Sequence, residues 1–409
     1  MLTRQQNDTI CRVGAGTPMG EFMRQYWIPA LRAQRLEADG APVRVRLLGQ
    51  NFVAFRATDG RVGFFDEGCP HRCTSLALAR NEDNALTCIF HGWKIDVSGK
   101  VVDVPSEPPE RRAEFAAKVR VGHYPVREVA KIIWVYIGKS DQVPAFPNFA
   151  FTRLPDDHII TRMGSLNVNW FAMLEGQLDS AHASILHRDG FTLRARPGAI
   201  RGNITFDTGP RLEFDMKPYG LREGAIRNTS DGQYYVRIRE YIVPFYSFVP
   251  QGGLDKDQTL TIAVPIDDEN CTHWDVRYNL KHPVDLPRTP DNAGFFDNPD
   301  NFVGDFGTMD NRFHQNRTAM KEGSWAGYPT TRYEDFAAAV AQGTITDRSR
   351  EYLGTSDASI IKVRRLLLDA VARFEKGEKP YALDKIDWDA IYPMDATIPK
   401  DVDWRKLPL

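Results

Sequence analysis

Cys69-Pro-His71-Arg-Cys73 and Cys88-Ile-Phe-His91-Gly-Trp93, with sixteen residues between His71 and Cys88, form the stretch around which the chain is organised. Each half supplies one thiolate and one imidazole, as Cys69-x-His71 and as Cys88-x-x-His91. A single Cys-x-His is usually a small packed thiol beside an unrelated histidine. A second mixed pair at this distance argues against that reading of the first.

Two thiolates and two imidazoles delivered by two loops suit a [2Fe–2S] cluster of Rieske type, in which cysteines hold one iron and histidines the other. The ligands are then Cys69, His71, Cys88 and His91. Neutral imidazoles replacing two thiolates leave the cluster less negative and raise its potential, which suits a site that collects electrons from a low-potential donor. A Cys2His2 zinc site uses the same ligand types. The usual finger keeps its cysteines in one element and its histidines in the other, whereas both loops here mix them.

Outward from these loops, residues 27–140 carry short β-rich runs: Val43–Leu48, Asn51–Phe55 and Lys131–Ile137, punctuated by Asp59-Gly60 and Ser98-Gly99. They predict a small antiparallel β domain whose two hairpin tips close over one cluster. In residues 1–26, Thr3 is a candidate cap, and Met19, Phe22, Met23 and Tyr26 stand at helical spacing after Pro18. That segment is expected to pack on the second domain. Pro144, Pro147 and Pro155 mark a linker, and the second domain covers residues 145–409. It has strand-like runs at Tyr234–Val249 and Thr259–Pro265 and helices at about 333–342 and 356–376. The fold class is α+β, a small antiparallel β domain followed by a larger antiparallel-sheet-and-helix domain.

The chain of 409 residues, 42% hydrophobic, is long enough to bury two cores. A formal net charge of −2 without blocks of like charge argues against nucleic acid and against a basic membrane-surface patch. Five thinly spread cysteines do not make a disulfide framework, and Cys73 reads as a small packed thiol. With no apolar stretch of membrane-spanning length, a cytoplasmic protein with no membrane partner is expected.

A second constellation follows the linker: Asn169-Trp170, Glu175, Asp179, His182 and His187. A mononuclear non-haem iron(II) that activates O2 takes two imidazoles and a carboxylate on one face. On a continuous helix Asp179 and His182, three apart, share a face. His182 and His187, five apart, fall roughly 140° from each other, so a common metal requires a break or π-bulge between them. Two such histidines are by themselves more often surface or packed residues. A redox cluster elsewhere in the chain needs something to reduce, and that shifts the balance.

Together these residues resemble the large subunit of the Rieske non-haem iron ring-hydroxylating oxygenases. The opening Val13-Gly-Ala-Gly-Thr-Pro-Met19-Gly20, the string Asp179-Ser-Ala-His182, and Gly343-Thr-Ile-Thr-Asp347-Arg-Ser with Leu353-Gly-Thr-Ser-Asp357 are similar to the phthalate dioxygenase-like group, which includes phenoxybenzoate dioxygenases. The resemblance covers nearly the whole chain. It implies an α-only homotrimer or stacked trimers, fed by a separate flavin and iron–sulfur reductase. It also implies cluster ligation by Cys69, His71, Cys88 and His91, and mononuclear Fe(II) held by His182 and His187. Asp179 matches the carboxylate that bridges to a cluster histidine of the neighbouring subunit. The third iron ligand resembles the acid in Tyr333-Glu334-Asp335-Phe336; Asp335 is the choice, with adjacent Glu334 and upstream Asp310 left open. Departures are Cys73, where many relatives have glycine, and Gly176, where asparagine is common.

An aromatic-acid pocket needs an apolar lining and one or two fixed cations, because a guanidinium holds a carboxylate bidentately. Period-2 alternation puts Arg237, Arg239 and Tyr241 on one strand face, and Arg211 and Arg222 are further candidates. Arg211 and Arg237 are favoured for the substrate. The expected protein is a terminal oxygenase that uses O2 and electrons from NAD(P)H to dihydroxylate an aromatic carboxylate of phthalate or phenoxybenzoate type, the latter with diaryl ether cleavage. Monooxygenation or O-demethylation on the same scaffold is the nearest alternative. A Rieske electron carrier would not need His182, His187 and Asp335, and a zinc hydrolase would contain no iron.

Overall fold

The computed structural model describes residues 1–192, 202–253, 255–286, 288, 294–381, 383 and 386–407. The chain divides into two compact units: Gly14–Gly16 with Met23–Phe146, and Met1–Val13, Thr17–Phe22 and Pro147–Leu409.

In the smaller unit, short runs of β-branched and aromatic residues form β1 (Trp27–Arg32), β2 (Val43–Leu47), β3 (Gln50–Arg56), β4 (Val62–Asp66), β5 (Arg80–Glu82), β6 (Ala85–Thr87), β7 (Lys94–Asp96), β8 (Val101–Asp103), β9 (Val126–Val129) and β10 (Ile132–Tyr136). They pair antiparallel in the orders β1-β10-β9, β2-β3-β4 and β5-β6-β7-β8. Val53, Phe55, Phe65, Leu76, Leu86, Trp93 and Ile95 share one core with Cys69 and Cys88. Gly63 makes room for it: a Cβ there would lie 2.3 Å from Phe55 Cε1.

The Cys88 loop joins β6 to β7 and is a hairpin tip, as expected. The Cys69 loop is not. It runs from β4 in one sheet to β5 in another and closes on itself through an isolated antiparallel bridge between Gly68 and Ser75. A tight loop needs only local hydrogen bonds to hold its shape, so it can end one sheet and begin the next.

In the larger unit the strands are β11 (Ile159–Leu166), β12 (Arg211–Lys217), β13 (Gly220–Asn228), β14 (Tyr234–Ile242), β15 (Tyr246–Val249), β16 (Gln258–Pro265), β17 (Cys271–Tyr278) and β18 (Met394–Ile398). They make one antiparallel sheet in the order β11-β17-β16-β15-β14-β13-β12, with β18 beside β14. β18 takes Tyr234–Ile238 of β14 and β15 takes Glu240–Ile242, so the two share one side of that strand. The expected run Tyr234–Val249 is therefore two strands. The predicted helices occur as Thr331–Val340 and Ala358–Glu375.

Helix Trp170–Leu178 is apolar almost all round, with Trp170, Phe171, Ala172, Met173, Leu174 and Leu178 buried, which marks it as an internal helix. Asn169 caps it, its Oδ1 accepting the Phe171 N–H at 3.0 Å while its Nδ2 donates to Cys11 O and Asp268 O. Near the N-terminus, helix Arg4–Cys11 opens with a Thr3–Gln6 capping box. It is tied in by Asn7 Nδ2 donating to Thr346 O and by Arg348, which bonds both Asn7 Oδ1 and Glu175. Among the described residues no helix is long and apolar enough to cross a membrane.

Candidate metal centres

The two cysteine loops share one internal design. Cys69 N–H donates to Thr74 O and Cys73 N–H returns to Cys69 O, both at 2.8 Å; Cys88 N–H donates to Trp93 O and Gly92 N–H returns to Cys88 O, both at 2.9 Å. The residue four after each cysteine has positive φ, 57° at Cys73 and 73° at Gly92. Cys73 therefore occupies the position glycine holds in the other loop. It is exposed, so the expectation of a packed thiol is corrected: the backbone at this point turns its side chain away from the core.

Cys69 and Cys88 are buried side by side, and burial, reinforced by the neighbouring Cys88 thiol, pushes the Cys69 thiol up to about 11. The His71 and His91 rings lie 4.5 Å apart, and His71 stacks on Trp93 at 4.5 Å and 7°. His71 Nδ1 is buried without a hydrogen-bond partner. Burying such a nitrogen is costly unless something takes its lone pair. Two buried thiols, an orphaned imidazole nitrogen and an adjacent second imidazole fit a [2Fe–2S] cluster with mixed ligands.

At the second site the helix ends at Leu178, resumes for one turn as His182–Ile185, and resumes again as Arg188–Thr192. The break required between the two histidines is present. The expectation that Asp179 and His182 share a helix face is corrected, because Asp179 is the extended C-cap of the first helix (φ −80°, ψ 119°). It meets His182 through a turn. Its Oδ1 accepts the N–H groups of Ala181 at 2.7 Å and His182 at 3.2 Å, and its Oδ2 lies 3.5 Å from His182 Nδ1.

His182 Nε2 and His187 Nε2 come within 3.2 Å of each other. Asp335 Oδ1, from helix Thr331–Val340, lies 3.0 Å from His187 Nε2 and 3.6 Å from His182 Nε2. The three residues form one group of potential ligand atoms within 4.8 Å. Glu334, adjacent on the helix, points at the opposite nitrogen, with Oε2 2.6 Å from His187 Nδ1. Each imidazole thus presents Nε2 to a common point and turns Nδ1 to its own carboxylate, Asp179 for His182 and Glu334 for His187.

Burial opposes charge on His187, but Asp335 and Glu334 outweigh it and push the imidazole up to about 9. Burial likewise opposes charge on Asp179; its bonds from His182 prevail and bring it down to about 2. Two Nε2 atoms and a carboxylate oxygen so close together compete for a proton unless one cation takes all three lone pairs, and this donor set is that of a 2-His-1-carboxylate iron.

Of the alternatives to Asp335, Glu334 lies behind His187 and Asp310 is exposed in the turn Met309–His314. The supporting position of Glu334 was missed in the sequence; its only signal was a second acid next to the candidate ligand. Arg211 is exposed at the edge strand β12, pairing with Glu213 at 3.3 Å and lying over the Tyr234 ring. Arg237 is buried, 3.6 Å from Asp395 on β18 and donating to Pro250 O. Each guanidinium thus has a carboxylate of the protein beside it.

Two families match the chain, the Rieske [2Fe-2S] domain over residues 26–125 and "LigXa C-terminal domain like" over residues 135–409. The chain is similar to the phthalate 4,5-dioxygenase oxygenase subunit of Pseudomonas putida, 36% identical over 99% of this chain and 94% of the relative. It is also similar to the 3-chlorobenzoate-3,4-dioxygenase oxygenase subunit of Comamonas testosteroni, 33% identical over 99% and 97%. The terminal oxygenase of carbazole 1,9a-dioxygenase from Nocardioides aromaticivorans IC177 shares the fold, with a TM-score of 0.59 and 17% identity over 90% of this chain and 97% of that one.

Proposed function

The chain belongs to the Rieske ring-hydroxylating oxygenases as an oxygenase subunit, an enzyme with a [2Fe–2S] cluster and a mononuclear iron, and from that we infer that it dihydroxylates an aromatic carboxylate. One observation carries this: the convergence of His182 Nε2, His187 Nε2 and Asp335 Oδ1, each imidazole backed by a carboxylate. In this reading His182, His187 and Asp335 hold the iron, and Cys69, His71, Cys88 and His91 hold the cluster. When bound, the cluster supplies electrons and the iron supplies activation of O2. Asp179 and Glu334 fix which ring nitrogen faces the metal, as carboxylates behind metal-bound histidines do. Asp179 also serves as the bridge to a cluster histidine of a neighbouring subunit in a homotrimer.

An aromatic substrate is supported by the flank of the site. Phe336, next to Asp335, packs at 6.1 Å on Phe302 and on Phe306 and at 5.6 Å on His273, so the helix that brings Asp335 also carries an aromatic cluster. The aromatic-acid class is further supported by the activities named for the two relatives, and the specific form proposed is a phthalate- or phenoxybenzoate-type acid, the latter with ether cleavage. A substrate carboxylate at Arg211 or Arg237 has to displace Glu213 or Asp395. Electrons are expected from NAD(P)H through a separate flavin and iron–sulfur reductase, in the cytoplasm.

The test is product analysis after supplying such a reductase, isotope-labelled O2, and a panel of benzoate, phthalate and phenoxybenzoate isomers. A diol carrying both labelled atoms is the expected result. Incorporation of one atom, or loss of a methyl group from a methoxylated acid, would transfer the chain to monooxygenase or O-demethylase chemistry.

A further inference from the structure

A helix leaves its last four carbonyls without intrahelical donors. At the end of helix Trp170–Leu178, four successive carbonyls, those of its last two residues Gln177 and Leu178 and of the following Asp179 and Ser180, each accept an N–H from an arginine of the sheet. Arg239 on β14 donates Nη1 to Gln177 O and, at 3.2 Å, to Asp179 O. Its Nη2 donates to Leu178 O at 2.9 Å and to Ser180 Oγ at 2.6 Å. Arg227 on β13 donates Nη2 to Ser180 O at 2.7 Å and to Ser184 Oγ at 3.1 Å. The two residues are 3% and 0% exposed. Glu223, opposite Arg239 in the register of β13 and β14, lies 3.2 Å from Arg239 Nη2, so the charge is met from the sheet and not from the turn.

A desolvated charge is expensive unless every hydrogen bond it makes is good. Spending two arginines on one four-residue turn is explained by what the turn carries. Asp179 lies within it, its side chain accepting from Ala181 and His182 and facing His182 Nδ1, and the one-turn helix that begins at His182 follows directly. Ser184, in that same short helix, is also held by Arg227. The guanidinium fork is suited to this, since its separate nitrogens reach carbonyls that one ammonium cannot reach together.

We propose that Arg239, assisted by Arg227, is a positioning residue of the metal site: it holds the 177–180 turn so that Asp179 orients His182 and His182 presents Nε2 to the metal. This role presupposes that His182, His187 and Asp335 form the mononuclear site. That premise is checked separately by His182→Ala, which should abolish Co(II) binding there.

The test is Co(II) affinity of the mononuclear site in cluster-containing protein, titrated against a chelator and read by the high-spin Co(II) EPR signal, which the EPR-silent oxidised cluster does not obscure. Arg239→Lys should lower the affinity roughly ten- to a hundred-fold, the range for residues behind a metal ligand, and alter the Co(II) signal, with the Rieske absorbance intact. In an Asp179→Asn background the same substitution should have little further effect, because Arg239 acts through Asp179; a merely structural role would give additive losses. Ser180→Ala removes one Arg239 bond with less disturbance and should weaken Co(II) by roughly two- to ten-fold, which keeps the test open if Arg239→Lys does not fold. Wild-type affinity in Ser180→Ala, or additivity of Arg239→Lys with Asp179→Asn, overturns the proposal; tight Co(II) binding by His182→Ala overturns the site itself.

Discussion

Glu334→Gln separates ligand from support at the one place where two adjacent acids compete for the role. Glu334 Oε2 sits 2.6 Å from His187 Nδ1 with its side chain 5% exposed, a short buried contact to an imidazole that metal binding polarises. A hydrogen bond to a charged group contributes about 1.5–3 kcal/mol and a neutral one roughly half of that. Glutamine keeps the shape and an acceptor oxygen but not the charge. The exchange therefore removes about 1–1.5 kcal/mol, and at about 1.4 kcal/mol per decade the mononuclear iron should bind about ten-fold more weakly. Asp335→Ala instead removes the oxygen that faces both Nε2 atoms and should leave the site empty of iron. The assay is anaerobic loading with ferrous iron against a graded chelator, counting iron per chain and normalising to the cluster absorbance. If Glu334→Gln lost iron completely while Asp335→Ala lost only about ten-fold, the ligand and its support would be exchanged. Wild-type affinity in Glu334→Gln would remove the support role altogether.

His182→Ala should retain the two cluster irons and lose the mononuclear one; metal analysis showing that both centres vanish in folded protein would mean that the two sites are one. Cys73→Gly should raise stability by about 0.5–1 kcal/mol in anaerobic urea unfolding, because glycine relieves a φ of 57°, and Gly92→Ala should lower it, since a Cβ there meets Pro105 Cγ at 2.8 Å. Burial would raise the Asp275 carboxyl, but Arg332, Arg277 and Arg162 hold it well below the usual carboxylate range. Its stabilisation is therefore complete above an unfolded carboxylate's pKa of about 3.9 and is lost as the pH falls below that; Asp275→Asn should cost about 3–5 kcal/mol at pH 7 and flatten this part of the acid limb, and an unchanged limb would count against it. With the mononuclear site saturated with iron, Asp179→Asn should show both centres spectroscopically while slowing reoxidation of the reduced cluster by orders of magnitude in single-turnover experiments, and fast reoxidation in the reloaded variant would make Asp179 a ligand support only.

Strands β11 and β17 show why parts of the fold were not legible. Their sequences, Ile-Ile-Thr-Arg162-Met-Gly-Ser-Leu and Cys-Thr-His-Trp-Asp275-Val-Arg-Tyr, carry charges that break an alternating apolar pattern. In the sheet Arg162 and Asp275 stand directly opposite each other, both 1% exposed, with Arg332 closing the group from helix Thr331–Val340. A charge that is paired when buried looks, in one dimension, like a charge that belongs in water. The same holds for Arg237 and Arg239, which suggested a substrate pocket and whose contacts are with carboxylates and carbonyls of the protein itself.

The four candidate cluster ligands were legible in the sequence because each Cys and His pair lies within one short loop, where spacing along the chain nearly equals geometry in space. Cys73 is the local exception. That it matches Gly92 became visible only from the paired hydrogen bonds and the shared positive φ. At the candidate iron site the sequence by itself singled out His182 and His187 and the need for a break between them, since five residues on an unbroken helix cannot aim two rings at one point. Only the tertiary structure decided the rest. Asp335 arrives from a helix 148 positions after His187, and its choice over Glu334 depends on how that helix is turned about its axis. Asp179 reaches His182 through a turn and not along a helix face, because the carbonyls of Gln177 and Leu178 that end helix Trp170–Leu178 are held by Arg239 of β14 and that of Ser180, just beyond, by Arg227 of β13. A helix end of this kind is set by whichever donors meet its free carbonyls, and here those donors lie 47 to 62 residues further along the chain.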